Sequence, residues 1–411
     1  MSRVSLRRWS KATWCIPLGV VVFAAATVHC GWPSYAIVSE TVDTGTPVGE
    51  TGSDVTPYDA PSGSCLDGAV AVGASLPCTC GGGGDASADG GDAGVGAQAC
   101  TLDGALAPTC VGCPGTTECD AVTVEPGMTC IAGGLVRLGA TNASVCPAGA
   151  GGCPVEMPEH VVAVSRFQLD EQEVTVKRFR DWWKTGHAPP SAGSTAFTAG
   201  DGTKVVWDAS YTITAPPFAD ATNGSVWLPD TTPGVPDTKN DALPINHVDW
   251  STALAYCMSL GKRLPTEAEW EAAASGRNGR LFPFEAPETR NAAPTSAMLP
   301  CDKAVSKVSS CGTPTGTPPV KGQSPDGVKD LAGSLAEWVL DVQPAGGAAC
   351  TSNCYPSFAT VDPVLFVPGV AEHGIRGGHF QDDQPRNLRA QARDFAPVTT
   401  KRATLGFRCA K

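Results

Sequence analysis

The chain has 411 residues, of which 42% are apolar, so it holds enough hydrophobic material for a folded core and is not disordered throughout. Its formal net charge of −12 argues against nucleic acid as the main partner, because neutralising phosphates requires clustered lysine and arginine. Eighteen cysteines are typical of a protein in an oxidising compartment and unusual in the cytosol.

The first thirty residues have the pattern of a secretory signal. A basic stretch, Arg3–Lys11, precedes the apolar run Cys15–Val28. This run is too short for a comfortable membrane span. We therefore predict that residues 1–30 are a signal peptide and that the protein is extracytoplasmic.

Two ways of processing this signal remain open. Ala24 and Ala26 form a small-x-small site for ordinary cleavage, which would give a secreted protein. Alternatively, Cys30 is lipidated, as in bacterial lipoproteins, and anchors the protein to the cell envelope. His29 is a poor residue before a lipidated cysteine, but loss of Cys15 and lipidation of Cys30 leave an even number of thiols that can all pair.

The next two segments lack the pattern of a globular domain. Residues 31–64 are rich in Thr, Ser, Gly, Pro and Asp, and we predict a flexible tether. Residues 65–127 form a cysteine-rich module around the low-complexity run at 81–99. Cys110 and Cys113 have the spacing of a zinc pair, but disulfides that stabilise a small exported module are the preferred interpretation.

Ordinary globular sequence begins at residue 128 and continues to residue 411, which we predict to be one domain. The alternating stretch Val161–Asp170 indicates a strand. A helix with one apolar face is predicted to begin at Thr175 and to end at Gly186.

Two further helices follow before the pattern becomes irregular. One is predicted over Trp250–Leu260, and another begins at Thr266, where Glu269 completes a capping box, and ends at Gly276. Residues 282–411 are rich in Gly, Pro and short apolar pieces, which indicates loops with scattered short strands. Few helices and many loops predict an α+β domain of irregular architecture.

Eight strings in this region resemble the formylglycine-generating enzyme (sulfatase-modifying factor) family. They are Glu173–Thr175, His247–Trp250, Ala255–Cys257, Gly261–Glu271 (GKRLPTEAEWE), Gly316–Val320, Asp330–Trp338, Arg376–Gly378 and Leu405–Cys409. The resemblance covers about residues 128–411, and the GKRLPTEAEWE string is highly specific. It implies a C-type-lectin-like α+β fold with unusually little regular structure.

The family's oxidases convert a substrate cysteine to formylglycine with oxygen and a copper ion. Two cysteines shortly after the Arg-Gly-Gly string bind this copper ion. In this chain the segment Arg376–Arg393 contains no cysteine. By counting, Asp382 and Asn387 stand where the two thiols are expected. Cuprous copper is a soft ion that prefers thiolates, so we predict that the copper-dependent oxidase chemistry is absent.

The resemblance also implies calcium positions, which this chain retains only in part. Glu337 keeps the family's carboxylate, whereas Ser334 replaces the usual asparagine. Asn291 matches a second calcium loop, in which an expected aspartate is missing near Gly312. Since calcium needs several oxygen ligands, two interpretations stay open: a weakened calcium site at Glu337 and Asn291, or a Glu337 carboxylate that bonds to loop backbone.

The cysteines of the domain are interpreted as structural. In some relatives the positions of Cys257 and Cys409 are linked by a disulfide, and the resemblance implies the same pair here. Proximity in sequence suggests three more pairs: Cys146 with Cys153, Cys301 with Cys311, and Cys350 with Cys354.

One set of side chains suggests a different metal. His373, His379 and Asp382 have the composition of a two-histidine, one-carboxylate iron triad and are the candidate catalytic residues. Some relatives are iron-dependent oxygenases, although their iron ligands lie in a separate helical domain. His247 and Asp249 are interpreted as a structural hydrogen-bonding pair.

Three basic residues recur after the Arg-Gly-Gly string at helix-like spacing. Arg386, Arg389 and Arg393 are expected to pair with loop carboxylates rather than to bind an anionic ligand.

Three functions are consistent with the sequence. The preferred one is a non-catalytic envelope module that binds a protein, a peptide or a glycan. The second is a divergent formylglycine-generating oxidase or non-haem iron enzyme that modifies an exported protein, and the third is a structural component of the envelope. Similarity of fold does not assign a reaction. A redox metal bound at one ion per chain would distinguish the enzyme from the other two functions.

Overall fold

A computed structural model describes the side chains of most of the domain. The described residues are 119, 122–140, 156, 159–219, 222–229, 238–276, 279–285, 292–314, 316–344 and 361–411, with the backbone alone at 78–80, 100–102 and 105–106. The predicted signal peptide and tether lie outside these residues. So do Cys110, Cys113, Asn291, and the predicted cysteine pairs 146/153 and 350/354.

Three short α-helices each begin with a side-chain cap. They are α1 (Val176–Lys184), α2 (Trp250–Ser259) and α3 (Glu267–Ser275). Thr175 and Asp249 accept hydrogen bonds from the backbone N–H groups of the first turns of α1 and α2. Thr266 and Glu269 form the reciprocal capping box of α3, which confirms the start predicted from the sequence.

Thirteen short strands are described. They are β1 (Cys78–Cys80), β2 (Cys100–Leu102), β3 (Ala105–Leu106), β4 (Met128–Ile131), β5 (Gly134–Leu138), β6 (His160–Val164), β7 (Phe167–Asp170), β8 (Thr195–Thr198), β9 (Lys204–Val206), β10 (Ala336–Val342), β11 (Glu372–Arg376), β12 (Arg393–Pro397) and β13 (Leu405–Gly406). The largest sheet in this part of the chain has four strands, in the order β12-β11-β10-β13. The others have two or three strands.

The single strand predicted at Val161–Asp170 is divided in the structure. Its halves, β6 and β7, pair antiparallel with β5 and β4 respectively. The chain turns at Ser165, whose N–H and hydroxyl donate hydrogen bonds to Asp362 at 2.6 and 2.7 Å instead of continuing a ladder. Both halves are strands as predicted, but the apolar alternation runs through the turn between them and does not reveal it.

The core lies around the buried strand β10. One apolar cluster packs α1 and α2 against this strand and includes the fully buried Trp227, Trp250 and Trp338. A second cluster packs α3, with Trp270 at its centre, against strands β4–β7. Short helices, short strands and long loops make this an α+β, C-type-lectin-like domain. Among the described residues, no helix has both the length and the apolar character needed to cross a membrane.

Candidate binding site

A cavity of about 280 Å³ opens beside the end of β11. The chain leaves β11 at Arg376, turns through two glycines, forms a 3-10 helix at Pro385–Leu388 and returns as β12. The side chains that this excursion presents to the cavity include His379, Asp382, Arg386 and Asn387. The cavity is therefore built by the segment in which the family resemblance places the reactive residues.

The two glycines allow the tight approach of these loops. Gly377 and Gly378 have φ values of +94° and +63°, in the region that side chains disfavour. A Cβ atom on Gly378 would lie 2.6 Å from the carbonyl oxygen of Asn387 and 3.0 Å from a carboxylate oxygen of Asp382. A side chain at Gly378 would therefore collide with the loop that carries Asn387, and both glycines suit the backbone conformation of this turn.

Asp382 and Asn387, the two residues at the expected thiol positions, are in direct contact. The Asn387 side-chain amide donates to Asp382 Oδ1 at 2.8 Å. The backbone N–H of His379 donates to the other oxygen, Oδ2, at 2.7 Å. Both oxygens of the carboxylate therefore have a donor, and the sites of the expected thiols are joined by a hydrogen bond.

His379 is held at the wall of the cavity with 31% of its side chain exposed. The backbone N–H of Gln381 donates to its Nδ1 at 3.2 Å, which assigns the proton of the neutral ring to Nε2. The structure thus brings His379 and Asp382 together, with Nδ1 and Oδ2 3.5 Å apart. The Nε2–H group donates no hydrogen bond to any of the described residues.

His373 does not join them, which corrects the predicted triad. Its side chain is 1% exposed and stacks on Trp250 with the ring centroids 3.8 Å apart. Nδ1 lies 3.1 Å from the carbonyl oxygen of Leu340, and burial lowers the pKa of the imidazole to about 3. Within the part of the chain that the structure describes, no group of three or more His, Cys, Asp or Glu side chains could hold a metal ion.

Two of the three spaced arginines form ion pairs at the cavity wall. Arg389 Nη1 lies 2.9 Å from Glu156, and both side chains are buried. Arg393 Nε donates to Glu267 at 3.0 Å, again with both groups buried. These two therefore pair with carboxylates as expected, although Glu267 lies in the first turn of α3 rather than in a loop.

Arg386 differs from the other two arginines. It is half-buried at the cavity wall, and no carboxylate among the described residues lies within ion-pairing distance of it. The expectation of a carboxylate partner is therefore wrong for Arg386 within this part of the chain.

Glu337, the residue that the resemblance associates with calcium, lies in a second buried cluster. Arg408 donates to its two carboxylate oxygens at 2.6 Å each, and the Trp270 indole donates at 2.9 Å. Among the described residues the Glu337 carboxylate therefore bonds to side chains. The interpretation in which it bonds to loop backbone is wrong. A calcium ion at Glu337 would have to displace a guanidinium, and calcium remains a prediction.

Two further acids, Glu173 and Asp330, adjoin this cluster. The sequence analysis did not predict that they would be buried next to Glu337. Glu173 accepts a hydrogen bond from the Leu335 N–H at 3.2 Å, and with Asp330 and Ser334 it lines a cavity of about 20 Å³, enough for one water molecule. Burial raises the pKa of Asp330 to about 6. Burial and the neighbouring charge of Asp330 raise the pKa of Glu173 well above its ordinary value. The available signal was that both acids belong to strings that carry the family resemblance.

The raised pKa of Asp330 predicts a pH dependence of stability. The folded protein holds this proton more tightly than the unfolded chain, so the contribution of the carboxyl is present below its ordinary pKa of 3.8 and is lost as the pH rises through about 6. Asp330→Asn should therefore raise the free energy of unfolding, relative to the parent protein, by about 1–3 kcal/mol more at pH 7 than at pH 4. Urea unfolding at both pH values measures this difference.

The exposed Asp383 provides the control for this prediction. Asp383→Asn should change stability by the same small amount at both pH values. Parallel pH profiles for Asp330→Asn and the parent protein would contradict the assignment of the titration to Asp330.

Comparisons with known proteins agree with the strings in the sequence. The family described as "sulfatase-modifying factor enzyme 1-like domain" matches residues 115–411. The formylglycine-generating enzyme of Thermomonospora curvata is 30% identical over 298 residues, which cover 70% of this chain and 94% of that protein. The inactive C-alpha-formylglycine-generating enzyme 2 of Mus musculus is also 30% identical, over 54% of this chain and 71% of that protein. PvdO from Pseudomonas aeruginosa is a structural neighbour with 20% identity and a TM-score of 0.45, over 69% of this chain and 93% of that one.

Proposed function

This chain belongs to the sulfatase-modifying factor enzyme 1-like family, and from that premise we propose that it is an exported ligand- or protein-binding module without copper-dependent oxidase activity. The observation that carries the proposal is the hydrogen bond between Asp382 and Asn387 at the positions expected for the copper-binding thiols.

The donor set of the cavity does not fit copper. A cuprous ion prefers two thiolates, whereas these positions offer a carboxylate and an amide, and both carboxylate oxygens already have N–H donors. The cysteines whose side chains the structure describes are all in disulfides. They pair as Cys119–Cys130, Cys257–Cys409 and Cys301–Cys311. No thiolate from this part of the chain is therefore available to replace the missing pair.

Export is the second component of the proposal. Disulfides persist in oxidising compartments, and three of them lie within the described residues. Together with the signal-like N-terminus, they favour a protein that is anchored to the cell envelope through Cys30 or secreted. Its partner would be an extracellular or envelope protein, a peptide or a glycan. One relative, the mouse protein named above, is likewise termed inactive.

The alternative function is a divergent oxidase or a non-haem iron enzyme that modifies an exported protein or peptide. His379 and Asp382 favour it, because both are metal-ligating side chain types at the wall of one cavity. A third ligand among the described residues is missing, since His373 lies in the core.

Metal content and oxygen uptake test the proposal. The purified full-length protein should contain no stoichiometric copper or iron and should consume no oxygen with a cysteine-containing peptide. The double variant Asp382→Cys/Asn387→Cys should acquire about one copper(I) ion per chain, because it restores two neighbouring thiolates. Copper titration under anaerobic conditions measures this gain.

The matched control is Asp382→Ser/Asn387→Ser, which removes the same side chains without adding thiols and should bind no copper. Redox metal at one ion per chain in the parent protein, with oxygen uptake that is lost in His379→Ala, would establish the oxidase and overturn the proposal.

A further inference from the structure

Given the proposed function as a binding module, we propose that the cavity beside β11 binds the carboxylate of an acidic peptide or protein segment, with Arg386 as its main contact. The polar groups of the cavity wall differ in whether they already have a partner within the fold.

The other two arginines of the cavity are paired, and its acids accept hydrogen bonds from within the fold. Arg389 and Arg393 donate to Glu156 and to Glu267, so their charges are balanced within the fold. Asp382 accepts two N–H groups. Asp394, the remaining acid of the lining, is exposed and accepts a hydrogen bond from the next N–H of the chain.

Two donors remain without a partner among the described residues. One is the guanidinium of Arg386, and the other is the Nε2–H group of His379. These two free donors favour a ligand group that accepts hydrogen bonds. A guanidinium presents parallel N–H groups that match the two oxygens of a carboxylate.

The backbone of Arg386 is fixed, so its side chain is presented from a defined position. Pro385 occupies the first turn of the 3-10 helix, and Arg389 Nε donates to the carbonyl oxygen of Arg386 at 2.8 Å. The side chain is half-buried, so an ion pair formed there is less screened by water than one on an open surface.

The same wall favours a singly charged ligand over a phosphate or a sulfated glycan. Asp382 and Asp394 line the cavity without an Arg or Lys partner among the described residues, and their field opposes a dianion more strongly than a carboxylate. A lysine-bearing ligand would be attracted by Asp382 and Asp394 but would leave the donors of Arg386 and His379 unpaired. The volume of about 280 Å³ accommodates an acidic side chain with adjoining peptide backbone.

Fluorescence anisotropy with short labelled peptides tests the inference on the full-length protein. The probes are alternating Gly-Asp, Gly-Asn and Gly-Lys peptides of equal length. We expect the Asp peptide to bind about tenfold more tightly than the Asn peptide, since a hydrogen bond to a charged group contributes on this scale. Arg386→Gln should abolish this preference, and Arg386→Lys should retain part of it.

Arg402→Gln is the matched control, because it removes an exposed arginine outside the cavity and should leave the preference intact. Equal binding of the Asp and Asn peptides, or a preference that persists in Arg386→Gln, would overturn the inference. Tighter binding of the Gly-Lys peptide or of a sulfated oligosaccharide would also overturn it, while the binding function would stand. Oxygen uptake by the metal-loaded protein would instead refute the proposed function.

Discussion

Arg408→Met should lower the free energy of unfolding by about 3–5 kcal/mol, because it removes the counterion of a buried carboxylate. Arg408 and Glu337 are fully buried and joined by two hydrogen bonds of 2.6 Å. The same guanidinium donates to the backbone carbonyls of Asp170 and Lys329 at 3.0 and 2.9 Å. Methionine fills much of the space but satisfies none of these acceptors.

The neighbouring acids give this prediction a pH signature. Glu173 and Asp330 carry raised pKa values, and the positive charge of Arg408 acts to lower both. At low pH their protons reduce the need for a buried cation, so the loss caused by Arg408→Met should be smaller at pH 4 than at pH 7. Guanidinium unfolding followed by tryptophan fluorescence at both pH values measures the change.

Two further variants separate the charge from the packing. Arg408→Met/Glu337→Leu removes both charges and should recover part of the stability lost in the single variant, since the uncompensated carboxylate is gone. Lys177→Met breaks the exposed pair with Asp181 and should change stability by less than about 0.5 kcal/mol. A loss below about 1 kcal/mol for Arg408→Met would show that Glu337 does not depend on this guanidinium.

The helices of this fold could be predicted because their signals are local. The capping box at Thr266 and Glu269 lies within four residues, and the structure places the start of α3 there. Strand β10 could not be predicted in the same way. All of its seven residues are buried, including Glu337 and Asp341, so neither alternation nor hydrophobicity marks it as the centre of the sheet. The partners of its acids lie far along the chain: Arg408 pairs with Glu337, and the N–H groups of Glu267 and Leu365 donate to Asp341.

The candidate site shows the same division between local and distant information. Counting along the chain from the Arg-Gly-Gly string singled out Asp382 and Asn387, and the structure joins them by a hydrogen bond. His373 is only six residues from His379 in sequence, yet it belongs to β11 and points into the core. The partner of Arg389 is 233 residues away, and no sequence pattern connects Glu156 with it.

The disulfide between Cys257 and Cys409 is the second feature whose removal should have a large effect. It joins α2 to the C-terminal segment, next to Arg408, and both cysteines are fully buried. This is the pair that the family resemblance implied. Cys257→Ala/Cys409→Ala should lower the free energy of unfolding by about 2–5 kcal/mol, mainly because the unfolded chain regains the entropy of an open loop.

Loop length provides the control for this prediction. Cys257 and Cys409 are 152 residues apart, whereas Cys301 and Cys311 are separated by only 10. Since loop-closure entropy grows with length, Cys301→Ala/Cys311→Ala should cost less, and the difference in denaturation midpoint measures the contrast.

The C-terminal segment is also held by backbone pairing that the double variant leaves intact. Ala410 forms isolated bridges with Leu169 and Arg263, and β13 runs parallel to β10 with Leu405 opposite Ala336. Cys257→Ala/Cys409→Ala should therefore keep Arg408 beside Glu337 in the folded state and lose stability mainly through the unfolded chain. A loss within about 1 kcal/mol would contradict this account, because it would show that the crosslink hardly restricts the unfolded chain.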